Sequence, residues 1–209
     1  MSRTDGRQLT TTSYAILCLL AIRPWSTYEL AQQMRRSLHH IWPRAESNLY
    51  AEPKRLVEAG LARAESQPVG ERPRTLYTIT AEGRRALERW LATESASSRY
   101  ESEALVKVLF GNYGTKEELL ANLRAVATEA AAVKEQMRAV AAEYDRGTYP
   151  FPERVHVVSL IFRWIFEHAE LNARWAEWAA EQVESWPEVT EPADLEASLA
   201  VFRGVLESA

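Results

Sequence analysis

Two short segments of this 209-residue sequence concentrate side chains that bind anions and hydrogen-bonding edges. The first segment carries Arg44, Ser47, Asn48, Tyr50 and Lys54, and the second carries Arg72 and Arg74. Hydroxyls, amides and fixed cations are the groups with which proteins contact phosphate oxygens and the edges of bases. If the fold brings both segments to one surface, their chemistry predicts an interface for double-stranded DNA.

Several residues of the first segment and its neighbours have more than one interpretation. Tyr50 either binds a phosphate or braces its helix from a half-buried position. Lys54 and Arg55 are adjacent, so a regular helix turns one of them away from the duplex. Glu46 and Glu52 would repel phosphate, and we expect them to point elsewhere or to orient an arginine.

Two helices are predicted before the first segment. One has its N-cap at Thr11 or Thr12 and runs to Ile22 through an apolar sequence. The next is capped by Ser26 or Thr27 and has apolar residues on one side and polar residues on the other. The first of these helices is therefore expected to be almost wholly buried.

A third helix, over residues 46–59, is predicted to carry the first segment. Gly60 follows it and is the residue type expected just past a helix C-terminus. Pro53 interrupts the pattern, because proline removes a backbone donor and costs about 3 kcal/mol in a helix interior. Either the helix starts later, near Leu49, or it is bent.

A β-hairpin is predicted next. Residues 61–67 and 74–80 are short segments, and the second of them alternates as a half-buried strand does. Residues 68–73 between them are turn formers with a charged tip. Arg72 and Arg74 would lie on this hairpin, either as contacts to phosphate or the minor groove or as ordinary solvated charges.

A fourth helix, from the cap Thr80 to about residue 96, is predicted to follow with Leu87, Trp90 and Leu91 inward. Three helices, a hairpin and a further helix form the order of a winged helix-turn-helix. In that fold the third helix enters the major groove and the hairpin touches the flanking backbone.

A set of short motifs in residues 11–95 supports this interpretation. In chain order they are Ser13-Tyr-Ala-Ile-Leu-Cys-Leu-Leu-Ala21, Ser26-Thr-Tyr28-Glu29-Leu30, Leu49-Tyr50, Lys54-Arg55-Leu56, Gly60-Leu61, Arg72-Pro-Arg74, Tyr77-Thr-Ile-Thr80 and Gly83. In this order they resemble the PadR family of bacterial transcriptional regulators, which usually have an apolar residue where this chain has Pro53. The resemblance implies a dimeric repressor whose winged domains bind an inverted-repeat operator and release it when an effector binds.

The charge of the chain is divided unevenly. Residues 1–99 hold 15 Lys and Arg against 10 Asp and Glu, a balance of +5, whereas residues 100–209 hold 10 against 19, a balance of −9. A basic half indicates a polyanionic partner, and drift of surface charge is the alternative. We expect a mainly α fold: a winged helix-turn-helix DNA-binding domain over residues 1–98 and an all-helical dimerisation and effector domain over residues 99–209. By length and position, the second domain resembles the vinculin-like domain of the family's longer form.

Four helices are predicted in the second half, over about residues 101–111, 115–145, 153–185 and 193–206. On the third of them, one line along the helix collects Val157, Ile161, Trp164, His168, Leu171, Trp175 and Trp178. A stripe of this length is typical of a helix–helix interface. We interpret it as a homodimer interface, since a dimer presents two recognition helices to DNA.

Part of this stripe has a second interpretation. Trp164, His168, Trp175 and Trp178 could line a cavity for a small aromatic effector, because flat faces bind planar apolar ligands and an imidazole orients a polar group. The alternative is that these rings form the core of the dimer.

Other classes of protein find little support in the sequence. The single cysteine, Cys18, excludes an intramolecular disulfide, and the adjacent His39 and His40 point about 100° apart on a helix, so no metal site is expected. No catalytic or phosphate-loop motif is present, so neither an enzyme nor a cofactor is expected. The apolar run over residues 15–22 is too short to cross a membrane, and we expect a cytoplasmic protein. The alternative function is that of a winged-helix module that binds proteins without specific DNA binding.

Overall fold

The structure, a computed structural model, describes residues 9–43, 50–69, 72–190 and 194–207. The chain divides into two compact units, Met1–Ser98 and Arg99–Ala209. The fold is mainly helical with one small sheet in the described residues, and the predicted fold class is confirmed.

The described elements of the first unit are α1 (Thr11–Ile22), β1 (Trp25–Ser26), α2 (Thr27–Ser37), α3 (Glu52–Glu58), β2 (Ala62–Val69), β3 (Arg72–Ile79) and α4 (Ala81–Leu91). Those of the second unit are α5 (Glu103–Leu109), α6 (Lys116–Asp145), α7 (Val155–Ser185) and α8 (Leu195–Glu207), with short 3₁₀ turns at Gly111–Tyr113 and Pro152–Arg154.

The centre of the first unit is α1. Its sequence is apolar on nearly every side, and such a helix is stable only when it is buried. Ile16, Leu17 and Leu20 are accordingly at most 1% exposed. Six of its twelve residues are buried and Thr11 is exposed, so the helix is less completely buried than predicted.

The N-cap of α1 is Thr10, and the prediction of Thr11 or Thr12 is wrong. The Thr10 hydroxyl accepts the backbone N–H of Ser13 at 3.2 Å, and the Ser13 hydroxyl accepts the N–H of Thr10 at 2.9 Å. Such a reciprocal pair needs a second polar side chain three residues after the cap, and only Thr10 of the three threonines has one.

The start of α2 is capped as predicted. Ser26 is the N-cap, and the Glu29 carboxylate accepts the Ser26 backbone N–H at 2.8 Å. The preceding strand β1 was not predicted; in it Trp25 and Ser26 pair with Tyr77 and Leu76 of β3. A two-residue strand is too short to show an alternation in the sequence.

The third helix is shorter than predicted. A helix over residues 46–59 is wrong for Tyr50 and Ala51, which lie in a turn, and the earlier part of that range lies outside the described residues. Because α3 begins at Glu52, Pro53 lies in its first turn, where a backbone N–H has no helical partner to lose. Of the two alternatives for Pro53, a later helix start is therefore the correct one.

Gly60 leads from α3 into the β-hairpin. It has φ of 73°, the left-handed conformation that a glycine adopts easily just past a helix. Strands β2 and β3 pair antiparallel, from Ala62 opposite Ile79 to Val69 opposite Arg72, and the strand order of the sheet is β1-β3-β2. The predicted hairpin is confirmed, with both strands slightly longer than expected.

The last helix of the first unit, α4, is capped by Thr80 as predicted. Leu87 is buried, and Trp90 stacks on Tyr14 of α1 with ring centroids 4.7 Å apart. Leu91 is 65% exposed, so the prediction that it points inward is wrong. The helix ends at this residue and not at residue 96, and the chain beyond it does not cover the side chain.

The framework of the second unit is formed by α6 and α7. Thr115 caps α6, and its backbone N–H donates to the Glu118 carboxylate at 2.9 Å, which confirms the predicted capping box. A buried cluster joins Leu119, Leu120 and Leu123 of α6 to Ala179 and Val183 of α7. The start of α6 thus packs on the end of α7, so the two helices run antiparallel.

Candidate nucleic-acid interface

The two faces of α3 have opposite character. Leu56 and Pro53 face inward and are fully buried, whereas Tyr50, just before the helix, is 68% exposed and Lys54 is exposed. Lys54 has no ion-pair partner in the described part of the chain. The turn before α3 and the exposed side of the helix therefore present a phenol and a cation, both of which bind phosphate oxygens.

A buried carboxylate fixes the start of α3. Glu52 is 2% exposed, and one of its carboxylate oxygens accepts a hydrogen bond from the Ser13 hydroxyl of α1. The other oxygen accepts Nη1 of Arg55 at 2.7 Å. The expectation that Glu52 orients an arginine is confirmed, and of the adjacent pair it is Lys54 that is left without a carboxylate partner among the described residues.

Part of the predicted site lies outside the described residues. This applies to Arg44, Ser47 and Asn48 of the first segment and to Glu46 beside them. The backbone of Arg72 is described as the start of β3, but its side chain is not. The roles of these four candidate contacts, Arg44, Ser47, Asn48 and Arg72, remain predictions.

Arg74 connects the hairpin to α2. Its guanidinium, on β3, forms an ion pair with the Glu29 carboxylate in the first turn of α2. Glu29 also accepts the hydroxyl and the backbone N–H of Ser26, both at 2.8 Å, and Nη2 of Arg23 at 3.3 Å. A phosphate contact by Arg74 would have to share this guanidinium with Glu29.

This ion pair has a consequence for stability against acid. Burial opposes ionisation of Glu29, but hydrogen bonds from Arg74, Ser26 and Arg23 outweigh it and lower the pKa of Glu29 to about 2. Because the pKa falls on folding from an ordinary value of 4.5, the stabilisation is complete above that pH and is lost as the pH falls toward 2. It amounts to at most about 3 kcal/mol.

We therefore expect Arg74→Ala to lower the free energy of unfolding by about 1 kcal/mol at neutral pH, since Arg74 is partly solvated. The difference from the wild type should shrink as the pH falls from 4.5 toward 2. Urea unfolding over this pH range measures it. Arg63→Ala is the matched control, because its pair with Glu65 on β2 is exposed and should contribute almost nothing. Equal losses for the two variants at every pH would contradict the assignment.

The residues predicted to form an effector cavity lie in two separate pairs. The rings of Trp164 and His168 stack with centroids 5.1 Å apart, and Tyr100 meets His168 edge-on at 5.7 Å. Trp175 and Trp178 line a groove of about 470 Å³ that α5, α6 and α8 also border. Trp164 and Trp178 are about 20 Å apart along one helix, too far for one small molecule in a single chain.

The apolar stripe of α7 faces away from α6. We call Val157, Leu160, Ile161, Trp164, Leu171 and Trp178 the α7 stripe; all six are exposed, and Leu160 and Trp164 are 71% and 50% exposed. The side that packs on α6 is a different one, on which Ile165, Ala169, Ala176, Ala179 and Val183 are buried. The α7 stripe therefore has no partner helix within the described part of the chain that buries it.

Two features are absent from the described residues. Among them, no three His, Cys, Asp or Glu side chains are grouped in a way that could hold a metal ion. None of their helices combines the length and the apolar character that crossing a membrane requires.

Comparison with known proteins gives the family. The profile of the PadR-like transcriptional regulator family matches residues 16–89, and that of the virulence activator alpha C-terminal domain matches residues 101–184. No curated protein matches the chain significantly.

Solved structures share the fold. Bacillus subtilis PadR in complex with operator DNA is 19% identical, with a TM-score of 0.72 over 83% of this chain and 99% of that one. The same regulator in complex with p-coumaric acid is also 19% identical, with a TM-score of 0.66 over 84% of this chain and 99% of that one. The Vibrio cholerae virulence activator AphA is 20% identical, with a TM-score of 0.63 over 83% of this chain and 98% of that one. At these identities the likeness establishes the fold alone.

The first profile lies within the first unit, which the sequence motifs predicted, and the second lies within the second unit, which length and position predicted. The winged arrangement of helices and hairpin, with an exposed phenol just before α3 and an exposed cation on it, agrees with them. The chain belongs to the PadR-like family of DNA-binding transcriptional regulators, which are not enzymes, in the form that carries the virulence-activator type of C-terminal domain.

Proposed function

We propose that this protein is a homodimeric transcriptional repressor that binds an inverted-repeat operator and leaves it when a small aromatic molecule binds. In this proposal α3 enters the major groove and the β2–β3 hairpin contacts the flanking backbone. Since the operator is chromosomal, the cytoplasm is the compartment that the proposal requires.

The observation that carries the proposal is the exposed α7 stripe. A stripe of apolar and aromatic side chains that extends over about six turns on one side of a 31-residue helix is expected to be covered in solution. A second copy of the chain is a suitable cover, because it brings the same stripe and joins two winged domains. Two linked domains bind two half-sites far more tightly than either domain binds one.

The DNA-contacting part of the proposal is supported by α3 and its surroundings. Tyr50 and Lys54 are exposed at the start of this helix, and recognition helices contact DNA mostly through their N-terminal residues. Ser47, Asn48 and Arg44 precede them in the sequence, and Arg72 and Arg74 lie on the hairpin. These seven residues are our candidate DNA contacts.

The effector part is supported by the groove beside Trp175 and Trp178. A volume of about 470 Å³ is within the range of small-molecule sites, and indole faces suit a planar ligand. The B. subtilis relative was crystallised with p-coumaric acid, an aromatic molecule of suitable size. Trp164 and His168 form a second candidate surface for such a ligand on the same helix.

Footprinting on a duplex that the wild-type protein selects from a random library tests the proposal. We expect two protected half-sites of one sequence in inverted orientation, with centres about 34 Å apart or a multiple of this. Adding p-coumaric acid or a related aromatic acid should quench Trp fluorescence and remove the protection. A single protected half-site, or protection that ignores sequence, would contradict the proposal and would favour a protein-binding module. A footprint that strengthens when the ligand is added would contradict release of the operator by the ligand.

A further inference from the structure

Two side chains in the first turn of α1 form hydrogen bonds with residues at the two ends of residues 43–51, which we call the candidate recognition segment. Thr12 and Ser13 are 8% and 0% exposed. The Thr12 hydroxyl accepts the indole N–H of Trp42 at 3.0 Å, and the Ser13 hydroxyl donates to the Glu52 carboxylate. Trp42 and Glu52 flank residues 43–51, so adjacent residues of one helix bind both ends of this stretch.

Stability alone does not explain why Glu52 is buried here. A carboxylate that is 2% exposed needs charged and hydrogen-bonding partners to offset the loss of water, and an apolar residue at Glu52 would not need them. Glu52 has these partners in Ser13 and Arg55. The best-attested use of a buried polar group is to specify one arrangement of the elements that it joins.

These hydrogen bonds depend on orientation, whereas the apolar contacts of α3 do not. The burial of Leu56 and Pro53 holds α3 against the core, but apolar packing allows small shifts along and around the helix axis. A hydrogen bond needs its donor and acceptor within a narrow distance and angle. The Ser13–Glu52 bond therefore adds a directional restraint to the packing at the first residue of α3, and the Thr12–Trp42 bond adds one to the chain before the segment.

We propose that Thr12, Ser13, Trp42 and Glu52, here called the anchor residues, are positioning residues for operator recognition. They fix the start of α3 relative to α1 and so the position at which Tyr50 and Lys54 meet the duplex. The inference rests on the proposed function, since it concerns discrimination between operator and other DNA. None of the four has to touch DNA.

Loss of an anchor bond should reduce specificity more than total affinity. Contacts to base edges are directional and discriminate only when the helix is placed accurately. Contacts between cations and phosphates tolerate small displacements and supply most of the non-specific binding. Loss of the Thr12 or the Ser13 hydroxyl changes no charge, so the slope of affinity against salt concentration on unrelated DNA should not change in those variants.

The test compares hydroxyl deletions on one turn of α1. Thr12→Val and Ser13→Ala each remove one anchor hydroxyl, and Thr11→Val removes an exposed hydroxyl from the same turn as a matched control. Glu52→Gln removes the buried charge, and Glu58→Gln is its control because Glu58 is exposed on the same helix. Binding is measured on the duplex selected by the wild-type protein and on a scrambled duplex, with thermal melting of each free variant.

We expect the ratio of specific to non-specific affinity to fall about tenfold in Thr12→Val, Ser13→Ala and Glu52→Gln. Thr11→Val and Glu58→Gln should keep the ratio within about twofold, and non-specific affinity should be unchanged in the hydroxyl deletions. The double variant of Thr12→Val with Trp42→Phe should lose no more than Thr12→Val alone, because both changes remove one bond.

Three results would overturn the inference. One is an unchanged ratio of specific to non-specific affinity in folded Thr12→Val and Ser13→Ala. These two changes are mild, so they test the inference even if Glu52→Gln fails to fold. Another is an equal loss of specific and non-specific affinity, which would show a merely structural role. The third is an equal loss in the Thr11→Val control. If the wild-type protein itself selects no sequence, the proposed function fails before the variants are compared.

Discussion

Leu160→Glu is expected to convert the protein from a dimer into a monomer. Leu160 is 71% exposed on the α7 stripe, so the change should leave the fold of a single chain intact. In a dimer, the same carboxylate would be buried against apolar side chains of the other copy at a cost of several kcal/mol. Sedimentation equilibrium at micromolar concentration measures the change in mass. Operator affinity should fall about 100-fold or more, because the two half-sites are no longer linked.

Ser159→Glu is the matched control for this prediction. Ser159 is exposed and adjacent to Leu160, but consecutive side chains of a helix point about 100° apart. The same charge is thus added outside the α7 stripe, and we expect the dimer and its operator affinity to persist. A Leu160→Glu protein that remains dimeric and binds operator normally would contradict the use of the stripe as the interface.

Lys54→Glu is expected to weaken operator binding by about tenfold to 100-fold. Lys54 is exposed on α3, and a carboxylate in its place would repel phosphate where the cation attracts it. Removal of one phosphate contact per chain should also lower the slope of affinity against salt concentration by about one unit for each contact. Fluorescence anisotropy on the selected duplex at several salt concentrations measures both effects.

Arg84→Glu changes the net charge by the same amount and serves as the control. Arg84 is exposed on α4, away from the predicted recognition segment in the sequence. We expect its operator affinity to fall by less than about threefold, through the general field of the protein. Equal losses for Lys54→Glu and Arg84→Glu would show that only net charge matters and would contradict a contact by α3.

The sequence was sufficient where one local signal decided the structure. The capping box of Thr115 and Glu118 determined the start of α6, and that of Ser26 and Glu29 the start of α2. The hairpin followed from turn formers between two short segments. These signals depend on residues within a few positions of each other, so no knowledge of the tertiary fold is needed.

The start of α3 and the anchor bonds could not be predicted in the same way. A proline in an apolar pattern is compatible with a kink or a start, and only the position of Glu52 against α1 decides between them. Ser13 and Glu52 are 39 residues apart in the chain, and Thr12 and Trp42 are 30 apart. Residues so far apart follow no regular spacing from which a sequence pattern could identify them as partners. The one local indication was Glu52 itself, an acidic residue that is expected to point away from the phosphates of a bound duplex.

On α7 the sequence identified the apolar stripe but not the side that packs on α6. That side is rich in alanine, with Ala169, Ala176 and Ala179 buried. Small side chains allow two helices to approach closely, yet they contribute little to an apolar pattern that large residues dominate. The prediction was based on the ring-bearing residues, of which Trp164 and Trp178 are exposed and His168 and Trp175 are half-buried.

The measurement that tests the central claim most directly is the mass of the complex with the selected duplex, by native mass spectrometry or sedimentation. The claim is that two copies, joined through the α7 stripe, bind one inverted repeat with one α3 in each half-site. We expect two chains per duplex and no complex with one chain at concentrations that saturate the operator. A stable complex of one chain per duplex, or equal masses on the selected and scrambled duplexes, would contradict the claim.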